Sequence, residues 1–320
     1  MTILAPLPTD LFAPSGLSSG LFRGALTSEH ALAPGTGRTR RWWYAAATSA
    51  DASLSLGVAV VDLGLGGTAF AWICEAGSVR EFSRRLLGSR VDVGADPTQG
   101  AHAHGRGLDV RFDGAGGVDV AIDDFGGASV KFAWTAQQVS CAVCATATAH
   151  GGTNLTQKAA GHEVRGSLSV AGEDREIEGF GWYDWTAGRQ DRHTTWRWAA
   201  GAGQARDGRR VGLNVSSGMN ANGDGENVAW VDGEPVGLNV VDLGPLRPMD
   251  LHGPWRVQGD TWQLDFEPLG VRAARENLLI VRSNYVQPIG IFQGSLPGPD
   301  GATVHIDILP GVTEDHEAWW

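Results

Sequence analysis

Cysteine is scarce in this sequence, with only Cys74, Cys141 and Cys144 among 320 residues. Cys141 and Cys144 form a CxxC pair, a spacing typical of redox centres and zinc sites. The surrounding segment alternates like a strand, in which side chains three positions apart point to opposite faces and cannot share a metal. No second CxxC is present to complete a set of four ligands. We therefore predict that both side chains are small buried residues rather than a disulfide or a metal site.

Basic residues and long apolar runs are also few. The 25 Lys and Arg residues against 36 Asp and Glu residues give a net charge of −11, which would repel nucleic acid and anionic membranes. The first residues have neither the basic region nor the apolar region of a signal peptide, and no run of about 18 apolar residues occurs. We expect a cytoplasmic protein with no nucleic-acid partner and no membrane insertion.

Motifs that hold cofactors are missing as well. No P-loop, nucleophile elbow or dinucleotide fingerprint is present, because the glycine-rich run at 63–70 lacks the following helix and the distant acidic partner. His102 and His104 would share one face of an extended chain, but the local sequence offers no third metal ligand. The sequence therefore predicts neither a cofactor nor a metal.

Apolar and polar residues alternate along much of the chain, and 46 glycines supply the turns between these segments. In the segment 53–61, for example, Leu54, Leu56, Val58 and Val60 would share one face of a strand. Asp-Gly pairs, such as the one at 113–114, favour hairpin turns. This pattern predicts an all-β, antiparallel fold. Helical patterning is weak, and the best candidates are residues 78–87 and the closing segment 311–320, in which Thr313 could cap a short terminal turn.

The length of the chain allows about 20 to 24 strands, too many for one small barrel. We therefore predict two antiparallel β-barrel or sandwich domains with a cleft between them. The turn at 171–174 divides the chain almost in half, which gives an N-terminal domain of residues 1–172 and a C-terminal domain of residues 173–320. The oligomeric state cannot be inferred from the sequence.

The segment 178–198 combines four of the 13 tryptophans with charged residues. Aromatic rings mixed with directed polar groups are typical of a ligand pocket. The alternative is an ordinary half-buried strand. As a pocket, the segment would contribute the substrate-binding residues Trp182, Trp185, Arg192, Trp196 and Trp198.

Asp184 is the first candidate for a catalytic group. A carboxyl placed among indole rings would be desolvated and held protonated, as an acid that attacks a double bond must be. Tryptophan rings would stabilise the resulting cation. The alternative places Asp184 at the surface, paired with Arg189 or Arg192. His193 could act near neutral pH, or could be a surface histidine.

Two further segments contain candidate site residues. Glu226 and Asn227 follow a glycine-rich turn and could reach the mouth of a cavity, or could lie at a solvated strand end. Asn284, Tyr285 and Gln287 offer uncharged groups that could orient a carbonyl or hydroxyl of a substrate. Alternatively, these three residues satisfy the backbone around Pro288, which cannot donate to a ladder.

Several long segments together resemble domain of unknown function family 2804: RRWWYAAATSADASLSLGVAVVDLGLGGTAFAW, DWTAGRQDRHTTWRWAAGAG, VGLNVSSGMN, ENVAWVDGE and RSNYVQPIGIFQGSL. That family is similar to the hydroxyneurosporene synthase (carotenoid hydratase) group, which implies two calycin-like, lipocalin-like β-domains. The resemblance also implies a site between the domains, where relatives hydrate double bonds of terpenoids or steer cycloadditions of polyenes. Asp184 matches the acidic residue of the hydratases, whereas Trp185 stands where those relatives more often have His.

Two functions follow from these observations. The first is a cofactor-independent lyase or isomerase acting on an apolar terpenoid, polyketide or aromatic small molecule, with Asp184, Glu226 and His193 as catalytic groups. The second is a non-catalytic carrier, because lipocalin-like cavities also hold ligands without reacting with them.

Overall fold

The structure is a computed structural model, and it describes residues 2–13, 16–32, 38–148, 151–220, 225–247, 250–277 and 282–319. Helix in these ranges is limited to 3-10 turns at Ser28–His30, Gly88–Arg90 and Pro97–Gln99. None of the helices in these ranges has the length and apolarity needed to span a bilayer. The all-β prediction is confirmed.

Strands make up most of the described chain. In chain order they are β1 Thr2–Ile3, β2 Ala5–Pro6, β3 Phe12–Ala13, β4 Gly16–Leu17, β5 Gly20–Arg23, β6 Arg40–Ser49, β7 Leu54–Asp62, β8 Gly66–Glu75, β9 Ser78–Leu87, β10 Val91–Val93, β11 Ala101–Gly105, β12 Leu108–Phe112, β13 Gly117–Ile122, β14 Val130–Ala136, β15 Ala142–Ala147, β16 Thr153–Val170, β17 Glu173–Gly188, β18 His193–Gln204, β19 Arg210–Ser217, β20 Val228–Val231, β21 Glu234–Gly237, β22 Asp242–Pro245, β23 Trp255–Gln258, β24 Gln263–Asn277, β25 Arg282–Pro297 and β26 Thr303–Trp319.

The larger sheet runs in the order β10-β11-β12-β13-β14-β16-β17-β6-β7-β8-β9, with β15, β5 and β2 added at β16. Its neighbours along this order are antiparallel, and β10 also contacts β7 and β8, so the sheet curls toward a nearly closed barrel. The barrel interior contains Leu54, Leu56, Val58 and Val60, which confirms the face predicted for this strand.

The smaller sheet runs in the order β1-β21-β20-β19-β18-β26-β25-β24-β23-β22 and forms a half-barrel. Its concave core contains aromatic residues of three strands, Trp255, Phe266 and Phe292. The two β-units and the cleft between them confirm the predicted calycin-like architecture.

A third apolar cluster joins the two sheets. Trp72 and Trp182 of the larger sheet pack in it together with Trp198 and Trp230 of the smaller one. The same strands that supply the barrel interior supply this cluster, because successive side chains alternate between the two faces of a strand. On β17, for example, Trp182 and Asp184 face the smaller sheet, whereas Trp185 faces the barrel core.

A β-bulge at Gly161 changes the facing of β16. The register shifts between Ala160 and His162, and Gly161 has a φ of +78°. Before the bulge, Lys158 and Ala160 face the smaller sheet; after it, His162 and Val164 face the barrel interior. The inserted residue therefore moves the even-numbered positions of β16 from the cavity side to the barrel side.

Both predicted helices are wrong. Residues 78–87 form strand β9, which pairs along its whole length with β8, and residues 311–319 lie in β26, between β18 and β25. Thr313, predicted to cap a terminal turn, is buried in this central strand. Pairing with neighbouring strands, in a hairpin with β8 for β9 and between β18 and β25 for β26, outweighed the local preference of Arg, Glu and Leu for helix.

The turn at 171–174, at which we placed the domain boundary, lies in a hairpin of the larger sheet. Ala171 and Gly172 have φ values of 54° and 87° and connect β16 to β17. The chain passes from the larger to the smaller sheet between Gly188 and His193.

The CxxC cysteines are both buried, as predicted. Cys141 lies beside the hydroxyl of Tyr183, and Cys144 donates to the carbonyl of Gly225 at 3.1 Å. The two thiols therefore have different surroundings.

Candidate functional site

A cavity of about 490 Å³ lies between the two sheets, within the range of about 300–1,000 Å³ typical of small-molecule sites. Strands β6, β7, β8, β9, β16 and β17 build one wall, and β18, β19, β24, β25 and β26 build the other. Large aromatic side chains line much of it: Trp42, Tyr44, Phe70, Trp196, Trp198 and Tyr285.

An ion pair lies in the wall formed by the larger sheet. Lys158 of β16 and Asp184 of β17 are direct cross-strand partners, and Lys158 Nζ lies 2.7 Å from Asp184 Oδ2. The side chains are 5% and 13% exposed, so the pair is almost dry. Asp184 also accepts hydrogen bonds from Trp42 Nε1 at 3.3 Å and Thr186 Oγ1 at 3.0 Å.

A second carboxylate completes this cluster. Glu226, which precedes β20, places Oε1 3.5 Å from Lys158 Nζ, and its Oε2 accepts from Thr156 Oγ1 at 2.9 Å and Asn220 Nδ2 at 3.2 Å. Burial lowers the pKa of Lys158, but the charges of Asp184 and Glu226 outweigh burial and raise the pKa above its usual value. The ammonium is therefore charged at neutral pH and is shared by two carboxylates.

An arginine network forms the wall opposite. Arg272 of β24 donates to Gln287 Oε1 at 2.9 Å and to the Tyr285 hydroxyl at 3.0 Å, and it pairs with Glu81 Oε2 at 3.1 Å. Its guanidinium also lies 4.5 Å from the centre of the Phe70 ring. This network fixes the polar side chains of β25 against the larger sheet.

Further polar groups of the cavity are on β25 and β26. Glu314 Oε1 accepts from Trp196 Nε1 at 2.9 Å and lies 3.0 Å from His316 Nδ1. The Nε2 atom of His316 lies 2.8 Å from Ser283 Oγ. Burial raises the pKa of Glu314, but the hydrogen bond and charge of His316, the charge of Arg272 and the Trp196 N–H together hold it below its usual range.

The structure brings half of the predicted site residues into the cavity: Asp184, Glu226, Trp196, Trp198, Tyr285 and Gln287. They come from four separate regions of the chain, which meet because β17 lies in one wall of the cavity and β18 and β25 lie in the other.

The other predicted site residues lie elsewhere. His193, Arg192 and Asn284 are exposed, and His193 pairs with Glu317 at 2.9 Å while stacking on Trp319. Strand alternation turns Trp185 into the barrel core, and Trp182 is packed in the cluster between the sheets without lining the cavity. Asn227 Oδ1 accepts a hydrogen bond from the Ser216 backbone N–H at 2.7 Å, at the end of β19. None of these six side chains lines the cavity.

Sequence reasoning missed several cavity residues, of which Lys158 is the most important. One signal was available: the chain contains only two lysines, Lys131 and Lys158, and Lys158 lies in an uncharged run, TNLTQKAAG. Arg272 and Ser283 gave no local signal, because their partners lie on other strands, and Glu314 and His316 were not recognised although they are two residues apart on one strand.

The histidine pair of β11 does not form a metal centre in the described ranges. His102 and His104 stack at 4.9 Å, and His102 Nε2 lies 3.3 Å from Asp109 Oδ1. No group of three potential His, Cys, Asp or Glu ligands occurs among the described residues.

Two solved structures have a similar fold. One is a Nitrosomonas europaea protein provisionally named AttH, with a TM-score of 0.57, 13% identity and coverage of 98% of this chain and 99% of that one. The other is kievitone hydratase from Nectria haematococca, with a TM-score of 0.52, 10% identity and coverage of 93% and 95%. At these identities the similarity concerns the fold.

No curated protein matches the sequence. The model of a domain of unknown function, DUF2804, matches residues 7–320, nearly the whole chain, and this confirms the resemblance seen in the sequence. The chain therefore belongs to the DUF2804 family.

Proposed function

We propose that this protein is a cofactor-independent lyase or isomerase that hydrates, dehydrates or shifts a double bond of an apolar small molecule in the cavity between the sheets. The observation that carries this proposal is the nearly dry Lys158–Asp184 ion pair, with Glu226 beside it, in an aromatic wall. A carrier of apolar ligands has no need of such a cluster, because burying charges is costly and contributes little net stability. A buried ionisable group with a shifted pKa in a cleft, here Lys158, favours catalysis.

The ion pair changes the role expected of Asp184. A carboxyl that faces an ammonium at 2.7 Å is stabilised in its charged form, so Asp184 acts as a general base rather than as the protonated acid expected from the sequence. The ammonium of Lys158 has three N–H donors. Two serve the carboxylates, and we assign the third to an oxygen of the substrate.

These assignments give a balanced reaction for a double bond conjugated to a carbonyl. Lys158 holds the carbonyl oxygen, and Asp184 takes a proton from water as the water oxygen bonds to the β-carbon. The same proton is then delivered to the α-carbon. Isomerisation uses the same groups, because the carboxylate removes a proton from one carbon and returns it to another. The aromatic walls provide the affinity for the apolar part of the molecule.

Kievitone hydratase has a similar fold, so a hydratase site is compatible with this architecture. A shared fold does not by itself establish a shared reaction, and the proposal therefore depends on the cavity residues. Substrate identity depends on the cavity's own residues, and we restrict the proposal to apolar unsaturated carbonyl compounds.

Deuterium incorporation into simple enones tests the proposal, and the natural substrate need not be identified first. The protein is incubated in D2O with a panel of apolar enones, and carbon-bound deuterium is measured by mass spectrometry. We expect incorporation by the wild type and a loss of about 100-fold or more in Asp184→Asn, with binding, followed by tryptophan fluorescence, retained. Asp174→Asn, on the exposed part of the same strand, is the matched control. Binding without incorporation by the wild type would instead support the carrier function.

A further inference from the structure

Three side chains of the smaller sheet form a continuous hydrogen-bonded chain at the cavity surface. Ser283 Oγ lies 2.8 Å from His316 Nε2, and His316 Nδ1 lies 3.0 Å from Glu314 Oε1. All three residues line the cavity, on a different wall from Lys158 and Asp184. A hydroxyl, an imidazole and a carboxylate in this order match the arrangement that activates a serine nucleophile, which is recognised by geometry and not by position in the sequence.

The hydrogen bonds define which nitrogen of the imidazole carries the proton. The pKa of Glu314 is held low, as described above, so its carboxylate is ionised and can only accept. His316 Nδ1 must therefore donate to Glu314 when the ring is neutral. This leaves the lone pair of Nε2 directed at the hydroxyl of Ser283, which is the tautomer a general base needs.

The imidazole is also held in place by its surroundings. The His316 ring lies 4.0 Å from the Trp196 ring and 5.5 Å from the Tyr285 ring, measured between centroids. Glu314 is fixed in turn by the N–H of Trp196 and by the amide of Gln287. A base with a fixed orientation loses little entropy when it takes up a proton.

We propose that Ser283 is an activated nucleophile, with His316 as its general base and Glu314 as the group that orients His316, and that the cavity cleaves esters of apolar acyl groups. This activity lies beyond the double-bond chemistry proposed above and does not depend on it. No part of the Lys158–Asp184–Glu226 cluster is required for it.

The reaction balances with water as the second substrate. Ser283 Oγ bonds to the ester carbonyl carbon while its proton passes to His316 Nε2, and the bond from that carbon to the alcohol oxygen breaks as His316 protonates the leaving alcohol. Water then attacks the carbonyl carbon of the acyl-serine and gives a proton to His316 Nε2, and the bond from that carbon to Ser283 Oγ breaks as His316 returns the proton to Oγ, which releases the acid and restores the free serine. The aromatic residues Trp196 and Tyr285 beside the triad favour an apolar acyl chain.

Covalent labelling tests the proposal directly. The full chain is treated with two fluorophosphonates, one with a methyl and one with an octyl substituent, and the labelled tryptic peptide is identified by mass spectrometry. We expect the label on Ser283, a loss of labelling in Ser283→Ala, and rates at least about 100-fold lower in His316→Gln. Hydrolysis of p-nitrophenyl octanoate is measured on the same proteins and should follow the labelling.

A matched serine on the same strand serves as the control. Ser295 is the direct cross-strand partner of His305, but neither residue lines the cavity. Ser295→Ala should keep both labelling and hydrolysis. Failure of both probes to label wild-type Ser283, or equal ester hydrolysis by wild type and Ser283→Ala, overturns the proposal. Deuterium incorporation tests the Lys158–Asp184 pair, whereas labelling and ester hydrolysis test Ser283. Failure of one proposal can therefore be distinguished from failure of the other.

Discussion

Lys158 and Asp184 are direct cross-strand partners whose charged atoms meet at 2.7 Å inside the space between the two sheets. The pair lies on a cavity wall rather than in a closed core, so that a bound molecule can reach both charges. Charges at such a position affect both the stability of the fold and the chemistry of the cavity, and these two effects can be measured separately.

Removing the lysine charge should destabilise the protein strongly. In Lys158→Met, Asp184 and Glu226 remain buried without their counter-charge, which is expected to cost about 3–5 kcal/mol of unfolding free energy. Urea denaturation measures this loss. Lys131→Met removes the only other lysine, which is exposed, and should change the free energy by less than about 0.5 kcal/mol. Equal effects of the two substitutions would show that the ion pair is not buried as described.

The bulge at Gly161 should be intolerant of a side chain. Its φ is +78°, and an added Cβ would lie 2.9 Å from the backbone nitrogen of Gly212 in the smaller sheet. Gly172 is a matched control, because it has a similar φ of +87° with no atom within 4 Å of an added Cβ. Gly161→Ala should therefore lower the melting temperature clearly more than Gly172→Ala does. The same loss in both variants would mean that backbone strain alone matters and that the bulge does not contact β19.

His162 should make the protein sensitive to acid. The side chain is buried at a small cavity inside the barrel, and burial lowers its pKa from 6.5 to about 4. Between these values the unfolded chain binds a proton that the folded chain does not, so the free energy of unfolding falls as the pH decreases, by about 3 kcal/mol in total. His162→Gln should lack this part of the decrease. Parallel pH profiles for the two proteins between about pH 6.5 and 4 would contradict the assignment.

Much of the fold could be predicted from local pattern, because the side-chain period of a strand is fixed at two. The alternation along β7 predicted its barrel face. On β17 the same period places Asp184 on the cavity side and Trp185 on the other, although the sequence prediction had grouped both residues in one pocket. The pattern could not reveal the bulge at Gly161, which reverses the facing of the residues that follow. It also assigned β9 to a helix, since the Arg, Glu and Leu residues of this segment favour helix, whereas in the structure they form a hairpin with β8.

The site was harder to predict than the fold, for a related reason. The tryptophan-rich segment and its aspartate were recognisable because they are close in sequence. Lys158, Arg272 and Ser283 obtain their roles from partners on other strands, and a single sequence does not show which strands are neighbours. The scarcity of lysine was the one compositional feature that singled out Lys158.

The most direct test of the charged site is a titration of Lys158 by nuclear magnetic resonance in protein labelled with 15N-lysine. Only two side-chain Nζ signals are expected, and the one that remains in Lys131→Met belongs to Lys158. We predict that Lys158 remains an ammonium to above pH 10.5, and that its pKa falls in Asp184→Asn, since burial then opposes the charge with one partner fewer. A Lys158 signal that titrates to the neutral amine below pH 8 in the wild type would contradict the account.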